Sequence, residues 1–115
     1  MNLPNALTVL RIVLGVAYKR DVDDVRESPA LDILRLLENR GAHVAYHDPH
    51  VPSLEWNGTR LSSVDLDQGL READVAVIVT DHGGVPYDRV VAQARAVVDT
   101  RNATRGIVSS KVLKL

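Results

Sequence analysis

The sequence has no cysteine and no phenylalanine, and aromatic residues make up 3% of its 115 positions. Without cysteine, disulfides, thiolate zinc sites and thiol nucleophiles are excluded within this chain. So few aromatics leave almost no stacking platforms for single-stranded nucleic acid. An excess of either charge is missing too, with 14 Lys and Arg against 15 Asp and Glu. That balance gives no basic footprint for a duplex or for an anionic membrane surface. No apolar run approaches the ~18 residues that a membrane span needs. The opening MNLPNALTVLR lacks the basic start and long apolar stretch of a secretory signal. The expectation is a cytoplasmic protein with no nucleic-acid or membrane partner.

Present instead is a 45% hydrophobic content, carried by Val, Leu, Ile and Ala. A chain of this length makes one domain and buries roughly two-thirds of its unfolded surface, enough for a core without staples. Residues 1–8 read as a polar lead-in and residues 9–115 as the domain. A strand is expected over 9–16 (VLRIVLGV). Ser28 is a good N-cap, with Pro29 at the first helical position. Ala30, Ile33, Leu34 and Leu37 then recur at helical spacing, Leu31 and Leu36 widen the stripe, and Gly41 is the stop. Residues 43–47 (HVAYH) read as a second strand, 51–59 as a loop, 60–62 as a weak strand and 65–72 as a short helix. Residues 73–80 (ADVAVIVT) have the β-branched character of a strand covered on both faces. A helix over 87–94, a strand over 96–99 and a tail forming an edge strand or short helix complete the reading. Such alternation indicates a Rossmann-like α/β domain, a three-layer sandwich around a mainly parallel sheet.

In such a sheet, ligands bind outside the carboxyl ends of the strands, near the point where strand order reverses. The polar residues at those ends, Tyr18-Lys19, His47-Asp48, Thr80-Asp81-His82 and Thr100-Arg101-Asn102, should share one rim. Lys19 and Arg101 are the cations placed there, and together they suggest an anionic ligand such as phosphate. The same two side chains also read as solvated charges pairing with Asp21 or Asp99. Asp48 reads as a ribose-hydroxyl acceptor or, ahead of Pro49, as a turn former. His47, Asp48 and His50 make a poor metal cage on a proline-containing turn. The first turn has no G-x-G-x-x-G; it is long, and seven of the ten residues 18–27 are charged. It must carry contacts of its own.

Those contacts are suggested by a longer pattern. Gly15-Val16-Ala17-Tyr18-Lys19, Asp24 and Arg26-Glu27-Ser28-Pro29 resemble the signature G-x-A-[FY]-K-x-x-x-x-D-x-R-E-S-P of the UDP-glucose/GDP-mannose dehydrogenase family, in its C-terminal domain. Tyr46-His47-Asp48-Pro49 is similar to the family's Y-x-D-P. Ala73-Asp74, Thr80-Asp81-His82 and Asp99-Thr100-Arg101-Asn102 follow in order, and the likeness spans residues 9–107. Tyr18 stands where the family often has Phe, and Val22 where it more often has Thr.

The resemblance implies the UDP-sugar-binding part of an NAD-dependent nucleotide-sugar 6-dehydrogenase, which oxidises a C6 alcohol to a carboxylate through a catalytic cysteine. That cysteine and the main NAD site would belong to NAD-binding and central domains outside this chain, which is not catalytic alone. Tyr18, Lys19 and Arg101 are implied as substrate contacts, and Arg26 as a cofactor contact reaching toward NAD across the domain junction. A clamp from Arg26 to Asp24 or Glu27 explains that residue as well. The wording VDDVRESPAL and DTRNAT is closer to members acting on UDP-N-acetylhexosamines than on UDP-glucose. The alternative is a non-catalytic docking or regulatory module of the same fold, whose exposed rim favours homo-oligomers. A phospho-receiver domain is rejected because Tyr18-Lys19 stand where it needs acidic residues.

Overall fold

The computed structural model describes residues 10–16, 28–56 and 58–115. Among them run β1 (Leu10–Leu14), α1 (Pro29–Asn39), β2 (His43–His47), β3 (Ser53–Trp56), β4 (Thr59–Ser62), α2 (Leu66–Glu72), β5 (Val75–Ile78), α3 (Tyr87–Gln93), β6 (Val97–Asp99) and β7 (Val112–Lys114). The lead-in over 1–8 lies outside the described residues.

Local chemistry accounts for α1 from end to end. The Ser28 side chain accepts from the Ala30 N–H, and Pro29 sits where a missing N–H costs nothing. At the other end Gly41 takes φ +86, its N–H donating to Glu38 O while Ala42 N–H donates to Leu37 O. These crossed bonds satisfy carbonyls that the helix end would otherwise strand. Ala30 and Leu34 are buried, but Leu36, expected on the apolar stripe, is 59% exposed. At 3.6 residues per turn it lies about 200° around the axis from Leu34, on the solvent side.

The strands form a parallel sheet in the order β2-β1-β5-β6-β7, with every pair in parallel register. Val13, Val16 and Tyr46 pack with Ala30 and Leu34 of α1 on one face. Ile12, Leu14, Ile78 and Val97 pack with Leu70 of α2 and Val90 of α3 on the other. This is the expected three-layer α/β sandwich. The tail supplies an edge strand, β7. The loop expected over 51–59 is corrected: β3 and β4 pair antiparallel as a hairpin, with Leu54 opposite Leu61 and Gly58 in the turn at φ +76. Leu54 is buried and Glu55 exposed, so the short alternation faces inward and outward as a half-covered ribbon should.

Two contacts hold the sheet's far reaches. Lys111, just before β7, donates from Nζ to the carbonyls of Val91, Ala92 and Ala94 at 2.8, 3.2 and 3.0 Å. A cation is thereby placed on the negative end of α3. Gly15 ends β1 at φ +85, where an added Cβ would stand 2.5 Å from both Cβ and O of Thr80. Only glycine fits between the exits of β1 and β5.

Gly15→Ala combines left-handed strain with a backbone clash and should cost about 2–5 kcal/mol in denaturant unfolding. Gly41→Ala meets nothing within 4 Å and should cost only the strain, about 1–2 kcal/mol. Equal losses at the two sites would refute the close approach at Thr80. Lys111→Met should lose about 1–2 kcal/mol in the same measurement.

Candidate functional site

The chain builds β1 and β2 in one direction, then returns to place β5 on the other side of β1. Strand order therefore reverses between β1 and β5, which marks the carboxyl ends of these two strands as the ligand crevice. Because the sheet is parallel, the exits of β1, β2, β5 and β6 all lie on that rim.

One carboxylate ties three of these exits together. Asp48, the residue after β2, accepts the Val16 N–H at Oδ2 over 2.8 Å. The same oxygen lies 2.8 Å from Nε2 of His82, four residues beyond β5. Its other oxygen accepts the His50 N–H at 2.8 Å, closing a turn around Pro49. A carboxylate can only accept, so Nε2 of His82 carries a proton. Both side chains are fully buried, and the His50 ring lies 4.6 Å from that of His82. Asp48 is thus the turn former of the sequence reading; its burial removes it from a role on a ribose hydroxyl. Tyr46, beneath it, donates its hydroxyl to Val51 O. Burial first, and then the charge of Asp48, push that hydroxyl up to about 12.

The β5 exit is fixed from α3. The His82 N–H donates to the Tyr87 hydroxyl, which in turn donates to Thr80 O. Burial, followed by the negative charge of Asp81, drives the Tyr87 hydroxyl well above its ordinary range. It therefore stays a protonated donor. At the β6 exit, buried Asp99 accepts the N–H groups of Arg101, Ala103 and Thr104 together with the Thr104 hydroxyl, at 2.6–3.1 Å. Burial alone would raise the Asp99 carboxyl, but these donors, led by Thr104, outweigh it and hold it below the ordinary value. The turn presents Arg101 and Asn102 to solvent, with Asn102 at φ +56. Arg105 adds a second exposed guanidinium, 3.5 Å from Asp81 and donating to Asn102 O.

Arg101 therefore lies on the rim. Tyr18, Lys19 and Arg26 lie outside the described residues, which stop at Val16 and resume at Ser28. His47 turns its Nδ1 to Val64 O at 2.8 Å. Among the described residues no group of three or more His, Asp or Glu is arranged to hold a metal ion, and no helix is long and apolar enough to cross a membrane. Sequence reasoning missed the Asp48–His82 pair and Arg105. The polar ends of β2 and β5 were visible signals, but 34 positions separate the two partners.

A cavity of about 240 Å³ opens elsewhere, beside α2, lined by Ile12, Ala45, Val64, Gly69, Gln68, Asp65 and Glu72. Two carboxylates and no cation line it, so it is a poor place for an anion. The rim carries the cations.

Residues 12–106 match the UDP-binding domain of the UDP-glucose/GDP-mannose dehydrogenase family. The chain is 38% identical over 86 residues to the UDP-N-acetyl-D-mannosamine dehydrogenase of Campylobacter jejuni, covering 69% of this chain and 21% of that protein. It is 54% identical over 73 residues to UDP-glucose 6-dehydrogenase TuaD of Bacillus subtilis, covering 60% and 16% respectively. The structure of UDP-D-ManNAc dehydrogenase from Pyrococcus horikoshii superposes with a TM-score of 0.74 at 28% identity, over 93% of this chain and 25% of that one. The chain thus spans only 15–21% of the length of the curated relatives compared.

Asp99, with its folded carboxyl held below the unfolded value, contributes stability that is complete above the ordinary carboxylate range and lost as pH falls through the folded value. The stability gap between the native chain and Asp99→Asn should be constant near neutrality and shrink below about pH 4. Urea titrations from pH 7 to pH 2.5 measure it, and a gap that widens toward acid would contradict the assignment.

Proposed function

The chain belongs to the UDP-glucose/GDP-mannose dehydrogenase family as its UDP-binding domain, and from this we propose that it is the substrate-binding part of an NAD-dependent nucleotide-sugar 6-dehydrogenase. The observation that carries the reading is the family match over 12–106, which includes the rim at the strand-order reversal. Tyr18, Lys19 and Arg101 contact the UDP-sugar, with Lys19 and Arg101 on the phosphate or sugar oxygens. Arg26 reaches across a domain junction toward NAD. The oxidation itself needs a cysteine and an NAD-binding fold that this cysteine-free chain does not supply. Two NAD-dependent steps would carry the C6 alcohol to the carboxylate, and the enzyme would work in the cytoplasm. Residues 9–115 would form the domain. Some relatives are named for UDP-N-acetyl-D-mannosamine and others for UDP-glucose; the sugar proposed is a UDP-hexose or UDP-N-acetylhexosamine, and the loop wording favours the latter.

Physically, the rim suits a diphosphate. Its buried acids are engaged by protein donors and lend rigidity to the turns that carry the exposed guanidinium groups. Charge-assisted hydrogen bonds of the Lys19 and Arg101 kind contribute about 1.5–3 kcal/mol each.

A second reading is a docking module of the same fold. Leu113 and Leu115, at and beyond the terminal strand of the sheet, are 59% and 78% exposed, an apolar edge suited to protein contact.

Calorimetric titration with UDP tests the first reading. Weak binding is expected, since other domains complete the cleft, and Lys19→Ala or Arg101→Ala should weaken it about tenfold. No heat at millimolar UDP, with a partner chain captured instead, would favour the docking module.

A further inference from the structure

The turn after β6 carries two guanidinium groups, and their surroundings differ. Arg101 is exposed, and its side chain makes no hydrogen bond or ion pair among the described residues; only its backbone N–H is held, by Asp99 at 3.0 Å. Arg105 instead reaches toward the exit of β5. Its Nη1 donates to Asn102 O at 3.0 Å and stands 3.5 Å from Oδ2 of Asp81. We infer that Arg105 is a second diphosphate-binding residue, which exchanges the Asp81 carboxylate for phosphate oxygens when a nucleoside diphosphate binds. The inference rests on the UDP reading above and adds to it a residue and a counter-ion.

Three observations support it. First, Arg105 is placed by the fold. Its contact with Asp81 sets the guanidinium between the exits of β5 and β6, beside the crevice where strand order reverses. The turn beneath is fixed by Asp99, which accepts from Ala103 and Thr104, while the Arg105 N–H donates to Asn102 O at 3.4 Å. Second, donors are left over. Both side-chain contacts use Nη1, so Nε and Nη2 are without partners among the described residues. Third, the counter-ion is held loosely. The Arg105 side chain is 60% exposed and the approach to Asp81 is long, the kind of pair that solvent screens and that contributes little. A phosphate accepts two parallel bonds from the planar fork, a stronger contact than this single approach.

Asp81 therefore has a stated effect on the ligand. It occupies Arg105 in the empty rim and opposes the incoming anion with its own charge. Its charge also acts on the Tyr87 hydroxyl, so the informative change is Asp81→Asn, which keeps the shape of the side chain and removes the charge. Two guanidinium groups on one turn suit two phosphates, which separates a diphosphate from a monophosphate.

Calorimetric titrations of the full chain with UDP, and with UMP, which lacks the second phosphate, test the inference. Arg105→Ala should weaken UDP binding about fivefold to tenfold and UMP binding less than about twofold. Arg105→Lys, which keeps the charge but not the fork, should fall between the native chain and Arg105→Ala. Asp81→Asn should tighten UDP binding about twofold to fivefold. When Arg105 is already Ala the gain should be smaller, because only the loss of repulsion remains. An ion pair that merely joins two loops would leave UDP binding by Arg105→Ala unchanged, and that result overturns the inference. So do equal losses for UDP and UMP, and equal gains from Asp81→Asn in the two backgrounds. Arg105→Ala should also keep the native urea midpoint; a binding loss that comes with a lowered midpoint and is not relieved in Arg105→Lys assigns the residue a structural role instead. Absence of UDP binding by the unmutated chain is a separate result, which removes the UDP reading itself and this inference with it.

Discussion

A single carboxylate, that of Asp48, joins the exits of β1, β2 and β5 by accepting from Val16, His50 and His82 within 2.8 Å each. It does so at the place where the order of the strands reverses, so the interaction organises the only part of a parallel sheet where the connections diverge to opposite faces. Connections that leave neighbouring parallel strands toward opposite faces of the sheet open a crevice, and that crevice would splay or fill if its floor were soft. Here the floor is a buried, charge-bearing hydrogen-bond network. Removing one partner from such a pair generally costs about 3–5 kcal/mol, a large share of the ~5–15 kcal/mol that stabilises a small domain.

Around that floor the fold repeats one device. At each exit a buried polar side chain takes up backbone donors of the following loop: Asp48 after β2, and Asp99 at the end of β6. Tyr87 serves the β5 exit from a neighbouring helix. Each group removes a loop's freedom, Asp48 and Asp99 from full burial and Tyr87 from partial burial. What remains exposed is set on rigid turns, notably Arg101, Asn102 and Arg105. A domain proposed to hold a diphosphate gains from this division, because the acids that shape the loops engage backbone amides while Arg101 and Arg105 face outward.

Legibility in the sequence followed the range of the interactions. The α1 boundaries were readable from Ser28, Pro29 and Gly41, because caps and stops act within a few residues. The β5 strand was readable from its apolar, largely β-branched run, and the architecture followed from alternation. The β3–β4 hairpin was not: each strand has four residues, too few to set a period against Pro52 and Gly58. Leu36 was misplaced because a helical stripe drawn too wide takes in the far side of the helix. On the rim, the position of Arg101 was readable from the order of strand ends, whereas His82 and Asp48 could be named as rim residues but not as partners. Nothing local pairs residues 34 apart; only the parallel register of β1 with both β2 and β5 brings them together.

The claim at the centre is that the carboxyl rim between β1 and β5, and not the cavity beside α2, receives the nucleotide. Amide chemical shifts of the isotopically labelled chain, followed through a titration with UDP, address it directly. The account predicts that the largest changes fall on Gly15, Val16, residues 80–84 and residues 100–102. Changes centred on Ala45, Val64, Gln68 and Gly69, with the rim amides unmoved, would contradict it.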